Sequence, residues 1–507
     1  MKKTPIFNFL RGGLCILSCI LAFLLFGLTF LYTVDVTYDT WEQATVHGHL
    51  WSGIIMVAAI LLLVFACTFI RNVAHKIDEK KLFWGLAIGY SVMALYLILN
   101  VTTGLRADAN LVYTAAQNAM EGNYIDFSTE GYIHRYPHQL GLLVYDTALS
   151  LFSTSPLLNF TVNFLFVLGI NFLVYKISDH LFANHSVNLL TMLVSFAFLP
   201  QLLFILFGYG LTPGFFFIVL AFYSALKFAD GYQLRYLAAL VPAAACAVLL
   251  KNNYMIGVIA IIIFLILKML KLEFSWKGPV AAVLLVLCLF LPHRILASVY
   301  ENITGEELDN GAPAILWVAM GTDLDNHMRA AGWYDGTNWN IYNDAYYDKE
   351  VAQYFGEEKM KENLTDIKEN PGEAWDFFTE KTITQWCEPM YQSAWIAAPM
   401  DDRLEDFPPL LQSLYAPGAA EDVVAAFSKF LTIFIWLFAG IFFLLFRKKC
   451  FGWEILACFT VGGFLFHTVW EAKSQYIYPY LFVLIPLAAF AFWKVIAKIK
   501  AWKENLL

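Results

Sequence analysis

Charge is what this chain has least of. Asp, Glu, Lys and Arg make up 15% of its 507 residues, where soluble domains carry about 25%. With a mean hydropathy of +0.60, that scarcity excludes an ordinary soluble fold and points to an integral membrane protein. No basic stripe suited to nucleic acid is present. Usable cysteine is also scarce: Cys15, Cys19, Cys67, Cys246, Cys288 and Cys458 lie in apolar runs, Cys450 follows a basic cluster, and only Cys387 lies in a polar region. A lone cysteine on one side of a membrane makes no internal disulfide, so no disulfide framework is expected. Spacings of Cys and His that bind metal are missing, as are internal repeats and low-complexity tracts. The apolar run Leu14 to Tyr32 has no small-residue cleavage site after it and is too long for a signal peptide, so it reads as an uncleaved first span.

What is present is a series of long apolar runs. About twelve meet the length needed to cross a bilayer: near 12–33, 50–70, 82–101, 157–176, 187–207, 211–228, 233–250, 254–270, 279–297, 427–446, 452–469 and 476–497. The expected fold is therefore an all-α polytopic membrane protein. Basic residues retained on the inner side set its orientation. Lys2, Lys3 and Arg11 place the N-terminus inside, and Lys494, Lys498, Lys500 and Lys503 do the same for the C-terminus. Arg71, Lys76, Lys80 and Lys81, then Lys227 and Arg235, then Lys268, Lys271 and Lys277, then Arg447, Lys448 and Lys449 mark inner loops. These assignments agree only if Leu140 to Phe152 does not span. The expected division is an N-terminal transmembrane hairpin (1–81), a core (82–298) holding a loop at 102–155, an extracytoplasmic cap of mixed structure (299–426) and C-terminal spans (427–507). Cys387 is placed outside, open to a membrane-impermeant thiol reagent if exposed, and Cys450 inside.

The loop from Thr102 to Gln139 concentrates the chemistry. Arg106 and Asp108 stand within a turn of a membrane exit. A helix with an interfacial character follows, then His134, Arg135, Tyr136, His138 and Gln139, then a second surface helix at Leu140 to Phe152. Asp108 has two readings: a helix cap, which Asp provides well, or a carboxylate working beside the membrane.

The middle third of the expected spans is nearly free of ionisable groups, which argues against an ion or proton path. Ionisable groups gather instead at the expected outer ends: Arg106 and Asp108; His134, Arg135 and His138; Lys251; His293 and Arg294; His467, Glu471 and Lys473. Lys251 alone is explained by snorkelling, but the recurrence runs against the usual placement of positive charge. Cations at a lipid–water boundary suit a phosphate headgroup, Arg as a planar fork and Lys as a point charge. A carboxylate beside them suits general-base work on an acceptor. Lys251, Arg294 and Lys473 are expected to share the phosphate site, with Arg135 as a lesser contributor. In the cap, Glu373 to Trp386 has helical periodicity, with Trp375, Phe378, Ile383 and Trp386 near one face. Tyr90 and Tyr96 read as packing, Gly208-Tyr209-Gly210 before Pro213 as a tight link, and Gly462-Gly463 as close helix packing.

The order of these features resembles the GT-C superfamily of integral membrane glycosyltransferases, which includes the protein O-mannosyltransferases and the lipid A aminoarabinose transferase. More closely, it is similar to Gram-positive bacterial members with a Tyr-Pro-x-Gln motif, as at Tyr136 to Gln139, and a Met-Gly stretch leading to Gly-Trp-Tyr, as at Met320-Gly321 and Gly332-Trp333-Tyr334. The resemblance begins near Phe83 and makes the first two spans an addition. It implies Asp108 as the catalytic carboxylate, a Lys at the outer end of a mid-bundle span, matching Lys251, and a late Glu-x-Lys-x-x-Tyr motif at Glu471, Lys473 and Tyr476. Gln475 stands where relatives often carry a basic residue, and the Asp that many relatives have near Tyr209 to Pro213 is missing.

The implied activity is transfer of a sugar from a polyprenyl-phosphate donor to an envelope glycan, teichoic acid, lipid or protein, at the outer face of a bacterial plasma membrane, with inversion at the anomeric carbon. Arg106, His134, Tyr136, His138, Gln139, Glu471 and Tyr476 would contact substrate. No cofactor is required by the residues; a divalent metal stays open because relatives differ. Two other classes compete: a transporter or flippase for lipid-linked glycans, which calls for helix breaks and polar residues at mid-depth, neither of which the sequence shows, and a non-catalytic scaffold in which the large outer loop binds a partner and Asp108 is only a cap.

Overall fold

A computed structural model describes residues 5–37, 42–74, 76–101, 104–271, 274–308, 311–394, 403–416, 418–448 and 450–504. Thr102, Thr103, Lys2, Lys3 and Lys449 lie outside the described residues, and the side chains of Arg71 and Lys503 are not described either. The chain is about 79% helical.

All twelve apolar runs form helix, but they do not all meet the length criterion. Among the described residues eight helices are long and apolar enough to cross a membrane, and two further pairs qualify only if each is counted as one bent span. Leu234–Leu250 and Trp453–Val469 are 17-residue helices, at the short limit for a bilayer at about 1.5 Å rise per residue. The bent pairs are His185–Ala197 with Leu199–Leu206, at 53°, and Ser474–Phe482 with Ile485–Ala501, at 49°. Pro200 follows the first break and Pro486 the second. Proline lacks an amide hydrogen and disfavours helix in the residue before it, so each run restarts there. Helix breaks, expected to be absent, are thus present in two spans.

Between the first two helices, Pro5–Leu31 and Leu50–Ala74, stands an antiparallel ribbon not expected from the sequence: β1 (Tyr32–Thr37) paired with β2 (Gln43–Gly48), in register from Tyr32 with Gly48 to Thr37 with Gln43. Its alternation buries Val34, Val36 and Ala44 against Ala330, Trp333, Ile383, Cys387 and Ala472. The N-terminal segment therefore packs on the cap.

Among its described residues the cap is helical rather than mixed, with helices Ile315–Thr322, Thr337–Asp344, Lys349–Glu369, Pro371–Trp386 and Pro409–Tyr415. Only an isolated parallel bridge, Trp333 to Ala472, is strand-like there. The expected boundaries at 299 and 427 fall inside helices Lys277–Thr304 and Ala419–Ile441. On Pro371–Trp386 the buried residues include Ala374, Phe377, Lys381 and Thr384 together with Ile383 and Trp386 of the expected face, whereas Trp375 is 74% exposed. Cys387 is buried, with the Thr29 hydroxyl 3.7 Å from its sulfur, so the condition for its labelling by a thiol reagent is not met.

The first loop folds as two helices, Ala107–Met120 and Leu140–Ser150, packed on each other. Gly141 lets the second press on the bundle: a Cβ there would lie 2.1 Å from the Leu249 carbonyl oxygen. Leu151 and Phe152 stay exposed at its end.

Candidate functional site

These elements enclose a cavity of about 660 Å³ lined by residues from far-apart segments. The first loop contributes Arg106, Asp108, Tyr132, Tyr136, His138 and Gln139. Lys251 and Asn252 come from a link between helices, and Glu471, Lys473 and Tyr476 from the late loop. Glu42, Arg329 and Tyr334 add a wall from the ribbon and the cap, and Met255, Ile256, Ile259 and Phe466 form an apolar side.

The start of helix Ala107–Met120 decides between the two readings of Asp108 as a local element. The cap position is Arg106, whose side chain makes no capping bond, and Asp108 is the second helical residue. Ala107 has φ +49°, a left-handed conformation that costs a non-glycine residue about 1–3 kcal/mol and recurs at functional sites. Asp108 is thus not the helix cap. Its charge acts on Lys251, where it favours the ammonium form.

The Tyr-Pro-His-Gln turn is pinned from the cap: the Ala312 amide donates to the Arg135 carbonyl at 3.0 Å, and Gly311 lies so close to Pro137 that a Cβ would sit 2.4 Å away. The turn aims Gln139 at Tyr209, whose hydroxyl receives the Gln139 amide at 2.6 Å and lies 2.9 Å from the Tyr132 hydroxyl. Lys251 stands 3.8 Å from the Tyr209 ring centre and 5.5 Å from that of Tyr476, within cation–π range. Burial lowers the Lys251 ammonium to about 7, against the opposing pull of Asp108. Burial, then His293 and Lys251, push His138 down to about 3, so its ring is neutral at neutral pH.

On the other wall, Glu42 Oε1 accepts from Lys473 Nζ and from Arg329 Nη1, each at 2.9 Å. Glu471 is 3.8 Å from the same ammonium. Burial alone would raise the Glu42 carboxyl, but Lys473 and Arg329 outweigh it and hold it below its ordinary value. Burial would lower Lys473, yet Glu42 and Glu471 carry it above its ordinary value. Glu471 is pushed up to about 7 by burial, with Lys473 pulling the other way. The Gly-Trp-Tyr motif is the scaffold of this wall. Gly332 has φ +68°, its carbonyl accepts from the Ala472 amide at 2.8 Å, and Trp333 is buried with its indole donating to Thr384 at 3.0 Å. Lys381, buried beneath, donates to the Gly321 carbonyl.

The structure does not bring all the expected residues together. Arg106, Asp108, Tyr136, His138, Gln139, Lys251, Glu471, Lys473 and Tyr476 line the cavity. Arg294 does not: it lies exposed on helix Lys277–Thr304, turned away by helical periodicity, while the neighbouring His293 faces Asn252 at 3.0 Å. Arg135 lies outside the lining, stacked 3.2 Å from the Trp339 ring centre. His134 is buried toward the cap, 3.5 Å from the Tyr342 hydroxyl. Conversely, Glu42, Arg329 and Tyr209 were not foreseen. An acidic residue stranded between two apolar runs was the available signal for Glu42. Tyr209, read as part of a tight link, is a cavity wall. Among the described residues no cluster of three or more His, Cys, Asp or Glu is placed to hold a metal ion.

Comparison of the chain with protein-family models, curated proteins and solved structures finds no match.

Proposed function

We propose that this membrane protein is a glycosyltransferase that moves a sugar from a polyprenyl-phosphate donor to an envelope acceptor (glycan, teichoic acid, lipid or protein) at the outer face of a plasma membrane. The observation that carries the reading is one cavity in which Asp108 stands with Lys251 and Lys473 beside an apolar wall of Met255, Ile256 and Ile259. The wall suits the first isoprene units and the cations suit the phosphate. Asp108 takes the proton of the acceptor hydroxyl, whose oxygen attacks the anomeric carbon. The bond from that carbon to the phosphate oxygen breaks, and the polyprenyl phosphate leaves with the electron pair, its charge held by the two ammonium groups. Single displacement inverts the anomeric centre. The basic loops put both termini in the cytoplasm and the cavity outside.

The test is Asp108→Asn in the purified protein, with transfer measured from a polyprenyl-phosphate sugar. Because Asp108 is not the cap, stability should hold. Loss of the general base should lower turnover by about 10²- to 10⁴-fold; near-normal transfer would sink Asp108 as the base, and no transfer by wild type would sink the reading. A second reading, translocation of lipid-linked glycans, is favoured by the two bent spans. Flipping of a labelled lipid-linked sugar in proteoliposomes, retained in Asp108→Asn, would select it.

A further inference from the structure

We infer that Arg329 of the cap is the partner of Lys473 in a two-cation anion site, and that Glu42 of the ribbon is the positioning residue that holds the pair together.

Three independent contacts place the two cations side by side. Lys473 Nζ and Arg329 Nη1 each lie 2.9 Å from the same Glu42 oxygen, so they are within twice that distance of one another. Both stand over one ring, 5.8 Å and 5.2 Å from the centre of Tyr334. Their backbones are tied as well: Ala44 donates to the Arg329 carbonyl at 3.0 Å, and Ala472, next to Lys473, donates to the Gly332 carbonyl at 2.8 Å.

Two cations this close repel, and a shared carboxylate is what keeps them together. Glu42 is suited to stay in place. Its second oxygen accepts from Gln392 at 3.1 Å, Gln392 accepts the Gln475 amide at 3.3 Å, and Glu388 receives the Gln392 amide at 2.6 Å and the Ser474 hydroxyl at 2.8 Å. All three charged groups line the cavity. Subtracting Glu42, the group keeps one net positive charge below about pH 7, where Glu471, 3.8 Å from the ammonium, is protonated, and a guanidinium has five donors against an ammonium's three. A planar fork beside a point charge is the arrangement that fits two oxygens of a phosphate monoester. Gln475, neutral and two residues after Lys473, does not supply the second cation; Arg329 does so from another segment. The segment before Phe83 thereby contributes a residue to the site.

The cavity that Lys473 lines also holds Glu42 from the residue before β2, Arg329 and Tyr334 from the cap, Asp108 from the first loop, Lys251 from its link, and Glu471 and Tyr476 from the late loop. Glu42 and Glu471 keep it protonated against burial, whereas Lys251, buried without a carboxylate in contact, falls to about 7. Without Glu42, Lys473 moves toward the behaviour of Lys251 and loses charge as pH rises.

The inference depends on the transferase reading only in taking the anion to be a lipid phosphate. Its test is binding of farnesyl phosphate, with farnesol as the neutral control, to the purified full chain in detergent, followed by tryptophan fluorescence. Wild type should prefer the phosphate. Arg329→Gln should weaken the phosphate by about tenfold or more and leave farnesol unchanged. Glu42→Gln should bind several-fold worse relative to wild type at pH 9 than at pH 6, a change that a merely structural role would not produce. The double variant Glu42→Gln with Arg329→Gln removes one charge of each sign; weak phosphate binding with a wild-type melting profile separates lost binding from lost folding. Unchanged phosphate affinity in Arg329→Gln, or parallel pH profiles for Glu42→Gln and wild type, overturns the inference. So does a wild type that holds farnesyl phosphate no tighter than farnesol. A phosphate preference lost in Arg329→Gln, alongside no transfer by wild type from a polyprenyl-phosphate sugar, keeps the anion site and removes the transferase reading.

Discussion

The N-terminal segment meets the C-terminal segment through buried charge at both ends of its first helix, and the two meetings differ. Near the start of helix Pro5–Leu31, Arg11 Nε lies 2.5 Å from Glu454. Its guanidinium donates to the carbonyls of Arg447 at 2.9 Å and Cys450 at 2.7 Å, and Glu454 also receives the Gly452 amide at 2.6 Å. The rings of Phe7, Phe451 and Trp453 surround it at 5.3–6.0 Å. Beyond the far end of that helix, Glu42 holds Lys473 and Arg329 at the wall of an open cavity. The chemistry is the same in both, a carboxylate gripping cations. The first arrangement is enclosed by rings and main-chain hydrogen bonds. The second leaves its cations facing space large enough for a ligand. What separates a fastener from a binding site is the cavity, not the ion pair.

The largest expected effect tests the sealed pair. Glu454→Ala strands the Arg11 charge and should lower unfolding stability by about 3–5 kcal/mol, whereas Arg11→Met with Glu454→Leu should recover most of that loss. Thermal melts in detergent measure both. If Glu454→Ala instead lowered farnesyl phosphate affinity at unchanged stability, the contrast between the two ends would break.

A smaller effect sharpens the open side. Lys251 carries its charge below about pH 7 and loses it above, and Glu471 becomes anionic over the same range. Both changes disfavour an anion, so phosphate binding should weaken as pH rises through about 7. Lys251→Met should remove much of that slope. The sign for stability is the reverse. A depressed amine makes folding less favourable as pH falls from its ordinary value of 10.5 to about 7, because the unfolded chain then binds the proton first. Wild type should therefore lose stability relative to Lys251→Met on going from pH 10 to pH 7.

The smallest effect concerns Tyr209. Tyr209→Phe removes the hydroxyl that meets Gln139 and Tyr132 and should cost about 0.5–1.5 kcal/mol of stability, with the Lys251 contact to the ring kept. Equilibrium unfolding measures the first part and the pH profile above the second.

Much of the fold was legible because apolar length is a local property. Each of the twelve runs became helix, yet two proved short and two bent, since a hydropathy window counts residues and not direction. The cap helix Pro371–Trp386 was visible in its period, and Ile383 and Trp386 of the expected face are buried, but toward its start Phe377 is buried and Trp375 is exposed. Large aromatic side chains suggested a face that the ribbon and late loop then fixed elsewhere. Cys387, placed in a polar stretch, is buried because that stretch packs on Val34, Val36 and Ala44.

The sequence by itself determined a membrane-embedded helical chain whose charges recur at the ends of apolar runs on distant segments, and it singled out Asp108, Lys251 and Lys473 by type and position. Tertiary structure decided which charges meet. Arg135 and Arg294 read like the others along the chain, but helix phase sends one onto Trp339 and the other outward. Glu42 and Arg329, 287 residues apart, become neighbours only when ribbon, cap and late loop pack together. Charge and hydropathy are written residue by residue, whereas the meeting of two distant side chains depends on the packing of everything between them.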